Sequence, residues 1–310
     1  MGRIFLAGAS GVIGRRLVPM LRSAGHAVVA LTRHERNAAS LREMGVEAVV
    51  ADVFDRARIR EIVEAERPDA VIHQLTAIPP TLNPRHVARQ MEPTNRIRRE
   101  ATEILLDAAR AAGVRRFVAQ SISFVCRPEG PPLSTEDEPL FLDAPTPYRG
   151  VIAAVSALEK TTLSNPDVEG VVLRYGFFHG PGTIYAPGGP FAEDVQRRRI
   201  PIVGEGAGVF SFVHVDDAAR ATLLALEQEK PGIYNIVDDR PLAVSDWLPR
   251  YAAALGAPPP WHIPRWLGRL GAGPYGDYLM CVQRGASNAK ARRVLGFEPQ
   301  VPDLVAGLAS

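Results

Sequence analysis

Seven residues near the start of the chain, Gly8-Ala9-Ser10-Gly11-Val12-Ile13-Gly14, restrict the fold more than any other feature. They follow a short aliphatic run at residues 4–7 and lead into a helical pattern at 15–22. Between a strand and a helix, Gly8 permits a tight turn and Gly11 lets a phosphate approach the backbone. Gly14 lets helix and strand pack closely, and the helix start offers unpaired N–H donors. The segment therefore reads as a dinucleotide site, in which Ser10, Val12 and Ile13 belong to the phosphate-binding loop.

The same unit recurs through the first half: an aliphatic run, a polar turn, a helical stretch. Strands are expected at 4–7, 27–31, 48–51, 70–73, 117–120 and 171–174, with helices such as 56–66 and 97–112 between them. Strand alternating with helix implies parallel strands joined by right-handed crossovers, because antiparallel hairpins need only short turns. The expected fold class is α/β, a Rossmann-type doubly wound parallel sheet with a smaller, discontinuous substrate-binding lobe. After Arg174 the Gly and Pro clusters at 180–182, 186–190 and 257–260 suit a loop-rich lobe. Residues 211–215 with a helix at 216–227, and residues 233–236, read as a return to the main sheet. These breaks divide the chain into a dinucleotide-binding domain, 1–174 and 211–238, and a substrate lobe, 175–210 and 239–310.

Composition excludes several classes. With 310 residues and 46% hydrophobic content, the chain can bury a full core without covalent staples. Cys126 and Cys281 are the two cysteines, too few and too far apart for a metal site or a disulfide framework, so no metal is expected and a reducing compartment is. The opening residues lack a secretion signal and no run of eighteen apolar residues occurs, so a cytoplasmic location is expected. A net charge of +2 gives no field that would select nucleic acid or a membrane as partner. A small-molecule substrate is left.

The GxxGxxG spacing resembles the extended short-chain dehydrogenase/reductase superfamily, the group of nucleotide-sugar epimerases and dehydratases. Further matches are Ala51-Asp52-Val53, Gly113-Val114-Arg115-Arg116-Phe117-Val118, Leu173-Arg174-Tyr175-Gly176 with Gly180-Pro181-Gly182, Phe212-Val213-His214-Val215-Asp216-Asp217, and Ala289-Lys290-Ala291-Arg292 before Leu295-Gly296. The resemblance implies that Asp52 and Val53 flank the adenine and that Leu75, Thr76 and Ala77 line the ribose and pyrophosphate. It also puts Tyr175, Gly176 and Phe177 among the cofactor contacts. An NAD site usually ends its second strand with an acid for the ribose 2′-hydroxyl. Here Ala30-Leu31-Thr32-Arg33-His34 carries a cation instead, and Arg33 would suit a 2′-phosphate, so NADP is expected with NAD as the alternative.

The family's catalytic pair is a Tyr and, four residues later, a Lys that lowers the phenol's pKa, helped by a Ser or Thr after the fifth strand. Ser121 or Ser123 supplies the hydroxyl. If Glu159 is the Glu that follows the Tyr by eight residues, the Tyr and Lys positions are Val151 and Val155. If Tyr148 is the anchor, the Lys position is Ile152. Both registers lose the lysine, and Lys160 lies about 18 Å along the helix from Tyr148. Tyr148 is the candidate for a substitute acid, with a surface or loop-packing Tyr as the alternative. Glu136, Asp137 and His179 are further polar candidates. Taking Thr102 as an anchor, the family's helix Asn falls three residues after Asn95. Apolar helix faces at 151–158 and at Ile97, Ile104, Leu105 and Ala108 suggest the family's homodimer. The expected function is an NAD(P)-dependent oxidoreductase or epimerase-like enzyme on a small or sugar-like substrate. The alternatives are a non-redox lyase, dehydratase or cyclase, and a non-catalytic NADP(H)-sensing regulator.

Overall fold

Alternate residues of the first strand are buried on opposite sides, which already requires a sheet covered on both faces. Ile4 and Leu6 pack with Leu17, Val18 and Leu21 and with Ala218, Ala221 and Ala225, whereas Phe5 and Ala7 pack with Ile59, Ile62 and Val63 and with Leu105 and Ala108. All four strand residues are essentially removed from solvent, and each large side chain so buried contributes roughly 1.5–3 kcal/mol. The computed structural model describes residues 2–83, 86–228 and 230–308.

The main sheet consists of β1 (Arg3–Ala7), β2 (Ala27–Thr32), β3 (Glu47–Val50), β4 (Ala70–His73), β5 (Arg116–Ile122), β6 (Glu169–Tyr175) and β7 (Gly232–Ile236). All pair in parallel in the order β7-β6-β5-β4-β1-β2-β3. The chain reverses direction across the sheet between β1 and β4, and ligands of such sheets bind outside the carboxyl ends of the strands at that point. Helices α1 (Val12–Ser23), α2 (Glu35–Glu43) and α3 (Arg56–Glu66) follow the first three strands. α1 turns Ile13, Leu17, Val18 and Leu21 to the sheet, and α3 starts at an Asp55 cap that accepts from the Arg58 N–H at 3.1 Å.

Between β4 and β5, α4 (Val87–Arg96) runs through a π turn, Ile97–Ala101, into α5 (Thr102–Ala111). The sequence predicts one helix at 97–112; Pro93 hides the earlier ten residues, because a proline inside an amphipathic pattern reads as a boundary. Helix α6 (Tyr148–Leu163) packs on the π turn, α5 and β5.

The predicted return of 211–215 to the main sheet needs correction. Phe212–His214 pairs in parallel with Phe177–His179 in a separate two-stranded ladder, and of the two predicted segments it is β7 that joins the main sheet. The cause lies at Gly176, where the chain changes partner: its N–H donates to Ile236, and the next N–H, of Phe177, donates to Ser211. A Cβ at Gly176 would stand 2.4 Å from the Ser211 carbonyl oxygen, so only glycine allows the crossing. The helix that follows, Val215–Glu227, returns to cover β1 and α1.

The smaller lobe has its own aromatic core of Tyr185, Phe210, Phe212, Trp247 and Tyr251. Three helices carry it: Pro190–Gln196, Val244–Ala254 and Arg265–Cys281, the last bent at Gly273, where φ is 66°. No described helix is long and apolar enough to cross a membrane.

Candidate functional site

The glycine turn lies at the carboxyl end of β1, beside those of β2 and β4. Gly8 has φ +103°, and a Cβ there would meet the Gln74 carbonyl carbon and oxygen at 2.7 Å. The Gly11 N–H donates to the Gly8 carbonyl at 3.0 Å, and Gly11 then caps α1. A Cβ on Gly14 would stand 2.3 Å from the Gly8 oxygen and 2.5 Å from that of Ala9. The helix start has no side-chain cap and no acidic residue in its first turn, so its N–H groups and positive dipole end are unspent. Val12 is exposed above this turn, Ile13 is buried below it, and the half-buried Ser10 accepts at its carbonyl from Arg15. Glycines that let the turn close tightly on neighbouring backbone, at a bare helix start, fit the pyrophosphate of a dinucleotide.

Next to the cradle, Arg33 is exposed just past β2 and makes no ion pair among the described residues. The nearby acid, Glu35, is engaged with Arg42. The Asp52 carboxylate accepts from the Phe54 N–H at 3.0 Å, Val53 is buried, and the Arg96 guanidinium lies 3.9 Å from the Phe54 ring centre. Past β4, the Leu75 N–H donates to His73 Nδ1 at 3.3 Å and the Ala77 N–H to Thr94 Oγ1 at 3.0 Å, while Thr76 is exposed. Burial, followed by the charge of Arg98, lowers the His73 pKa to about 4, so this strand end is neutral.

The two serines occupy different surroundings. Ser121 is fully buried on β5 and donates to Glu159 Oε1 at 3.0 Å; Arg174 Nε and Nη2 bond the same carboxylate at 2.7 Å each. Burial works against the Arg174 charge, but the Glu159 bonds outweigh it and its pKa is raised. Ser123 is also buried; its N–H donates to the Tyr175 carbonyl, and its hydroxyl has no partner among the described residues.

Tyr148 opens α6 inside an apolar cluster, against Tyr275 and Tyr278 at ring distances of 5.3 and 5.2 Å. Its hydroxyl donates to the Phe124 carbonyl, and burial pushes its pKa well above 10. Val151, Ile152 and Val155 are buried beside it, and Lys160 is exposed near the helix end. Tyr175 is buried under the cradle, its hydroxyl 2.6 Å from Thr222 Oγ1 and 3.1 Å from Gln74 Nε2. Phe177 stacks between Phe124 and Phe210 at 4.2 and 4.4 Å.

The remaining polar candidates are spread out. Glu136 accepts from the Asn235 N–H of β7 at 2.7 Å, and Asp137 is exposed. His179 is sealed between Phe212 and His214, with burial pressing its pKa down to about 3. Asn95 is buried with no partner for Oδ1. Sequence reading overlooked Arg98, on the π turn, although counting from Thr102 puts this arginine at the family's Asn position. Likewise overlooked was Tyr275 of the bent helix.

A parallel sheet of this order, with a glycine cradle at its reversal point and a second lobe beyond the strand ends, defines a Rossmann-type dinucleotide enzyme. More particularly, the chain belongs to the NAD dependent epimerase/dehydratase family, which matches residues 4–237, and is an NAD(P)-dependent enzyme. It is 44% identical over 312 residues to the 3-diazoavenalumate denitrifying reductase of a Streptomyces species, with 99% of both chains covered. The structure of Thermotoga maritima UDP-glucose 4-epimerase with UDP-glucose shares the fold at a TM-score of 0.77, 22% identity, and 99% and 96% coverage. MoeE5 in complex with UDP-glucuronic acid and NAD gives 0.74, 26%, and 99% and 97%.

Proposed function

We propose that this protein is an NADP(H)-dependent reductase that acts on a small diazo-bearing aromatic substrate, with release of dinitrogen. The observation that carries this reading is the apolar face of α6. Val151, Ile152 and Val155 are buried where a proton relay would need a cation, and Tyr148 is held to a carbonyl with its pKa well above 10. Reducing a ketone or epimerising a carbinol requires a proton to move at oxygen. An aryl diazonium group is already positive and does not: ArN2+ plus hydride gives ArH plus N2, with the N–H hydrogen of the intermediate aryldiazene ending on carbon. The nicotinamide, when bound, supplies that hydride. The likeness to a denitrifying reductase over the whole length supports the same choice.

In this reading Gly8 to Gly14 hold the pyrophosphate, and Asp52, Val53 and Leu75 to Ala77 line the adenosine. Arg33 takes a 2′-phosphate, favoured because no free carboxylate stands at the end of β2 to accept a 2′-hydroxyl. Tyr175 supports the cradle from below through Gln74, Gly176 and Phe177 shape the crossing into the second lobe, and Ser123 offers the unpaired hydroxyl. Residues 1–174 and 211–238 carry the cofactor and 175–210 and 239–310 the substrate, in the cytoplasm. A homodimer is part of the reading, but its basis moves. The apolar side chains of the two helices are consumed in the chain's own core, leaving Gly150, Ala153 and Ala157 of α6 toward the outside; a monomer in sedimentation at micromolar concentration removes it.

The test is anaerobic turnover of a phenol-derived diazo compound with NADPH, following nicotinamide oxidation and isotope-labelled N2 by mass spectrometry. One N2 per NADPH is expected. Product formed with NADPH unchanged would instead favour a lyase, and tight cofactor binding with neither product nor oxidation a regulator.

A further inference from the structure

Arg98 is charged, only 3% exposed, and makes no ion pair or hydrogen bond among the described residues; its Nη1 is sealed from solvent without an acceptor. The nearest influential acid does not answer for it. Glu159 acts on Arg98 at range, but its two oxygens are occupied by Arg174 and Ser121. Burying a guanidinium without a counter-charge is costly, and an anion bound beside it would offset that cost.

The surroundings indicate which anion. Arg98 sits on the π turn Ile97–Ala101, a local widening that re-aims side chains and recurs at functional sites. The residue after the π turn, Thr102, puts its Oγ1 3.2 Å from His73 Nε2 at the end of β4, and the turn packs on α6, whose first residue Tyr148 stands 5.3 Å ring to ring from Tyr275 of the bent helix. The turn that carries Arg98 thus sits between the end of β4 and the helix that meets the second lobe. Tyr275 is half-buried and its hydroxyl has no hydrogen-bond partner among the described residues, and Tyr148 and Tyr278 continue an aromatic wall behind it. One turn earlier on the same helix, the buried Asn95 Oδ1 is also without a donor. An aromatic wall suits a flat ring, and the planar fork of a guanidinium suits a carboxylate better than a single-point anion.

We infer that Arg98 is the substrate anchor of this enzyme, its unpaired guanidinium receiving the carboxylate of an aromatic acid whose ring packs against Tyr275. The inference deepens the proposed function, since it rests on the same cleft being the substrate site. The cation absent from α6 is supplied from the π turn, for holding substrate rather than for moving a proton.

The test needs no turnover. Binding of 4-hydroxycinnamate and of its methyl ester to the purified full-length protein is measured by calorimetry with NADP+ present. The wild type should bind the acid roughly tenfold to a hundredfold more tightly than the ester, the range for a charge-assisted pair. Arg98→Gln should bind both equally while keeping its affinity for NADP+, and Arg98→Lys should keep a preference of a few-fold. Equal binding of acid and ester by the wild type overturns the assignment, as does an undiminished preference in Arg98→Gln. Should the Gln variant not fold, the wild-type pair and Arg98→Lys decide alone, and an ester bound as tightly as the acid by either refutes it. An acid preference without N2 release from a diazo compound would keep Arg98 as anchor and reject the proposed reaction; N2 release without acid preference would do the reverse.

Discussion

Replacing Ser121 and Ser123 by alanine one at a time separates a structural hydroxyl from a working one. Ser121 donates to Glu159 at 3.0 Å in a fully buried setting, and that carboxylate keeps two 2.7 Å bonds from Arg174 after the hydroxyl is gone. The loss is one bond to a charged group with the ion pair left intact, so Ser121→Ala should destabilise by about 1.5–3 kcal/mol, a fall in Tm of about 2–5 °C for a chain of this size. Turnover should stay within a few-fold of wild type. Glu159→Gln is the severe control. It strands Arg174, whose side chain is 3% exposed, and breaking a buried pair from one side costs about 3–5 kcal/mol, a large part of the stability of about 5–15 kcal/mol that a domain possesses. Ser123→Ala removes a hydroxyl with no protein partner, so stability should change by less than about 0.5 kcal/mol while kcat/KM falls at least about tenfold. Urea unfolding and steady-state NADPH oxidation on the same preparations give both numbers. Unchanged stability with abolished turnover in Ser121→Ala would refute the reasoning, because its hydroxyl would then be spent on substrate and not on Glu159.

Gly11→Val and Gly14→Ala should fail in opposite ways. A Cβ at Gly11 meets only the Gly8 oxygen, at 3.2 Å, and φ is −74° there, so the fold survives while dinucleotide affinity drops about a hundredfold or more in fluorescence titration. At Gly14 the 2.3 Å overlap forces the backbone apart and destabilises by about 1–3 kcal/mol, read by urea unfolding. Arg33→Ala should weaken NADP(H) binding about tenfold to a hundredfold and leave NAD(H) unchanged; equal effects on both cofactors would remove the 2′-phosphate role. Asp238 is buried, its Oδ2 has no partner among the described residues, and burial, with Asp303 and Asp239 adding to it, raises its pKa from 3.8 to about 8. An acid whose folded pKa is raised favours the fold below its unfolded pKa and loses that contribution as pH rises toward the folded one. Asp238→Asn should therefore flatten stability between about pH 4 and 8 and be the more stable protein at pH 9 by a few kcal/mol; parallel pH profiles in urea unfolding would contradict this.

The parts of the fold legible in the sequence are those set by local chemistry. Ala70–His73 and Arg56–Glu66 lie where the aliphatic run and the 3.6-residue pattern put them, because a strand covered on both faces and an amphipathic helix each write their period into the chain. The glycine turn is legible for the same reason: its steric demands fall on consecutive residues. What escaped reading depends on partners distant in sequence. Phe212–His214 has a strand-like composition that says nothing of whether it pairs with the main sheet or with Phe177–His179, and the deciding contact, the Ser211 carbonyl against Gly176, lies 35 residues away. Ser121, Glu159 and Arg174 come from β5, α6 and β6, so Ser121 and Ser123 look alike in sequence although only the first meets a carboxylate.

The π turn shows why the charge pattern of a helix is a poor guide to which of its cations are buried. An arginine in the middle of a charged helical stretch, Arg96-Ile97-Arg98-Arg99-Glu100, reads as one more solvated cation. Arg96 and Arg99 are indeed exposed and paired with Glu100 and Glu92. One extra residue in the turn separates Arg98 from that pattern and leaves it buried while its neighbours face solvent. Arg98 stays protonated even with its pKa lowered to about 10 by burial. A permanently charged fork can hold an anion but cannot act as a general acid or base near neutrality, so the part this arginine can take beside a substrate is to hold an anion, not to relay a proton.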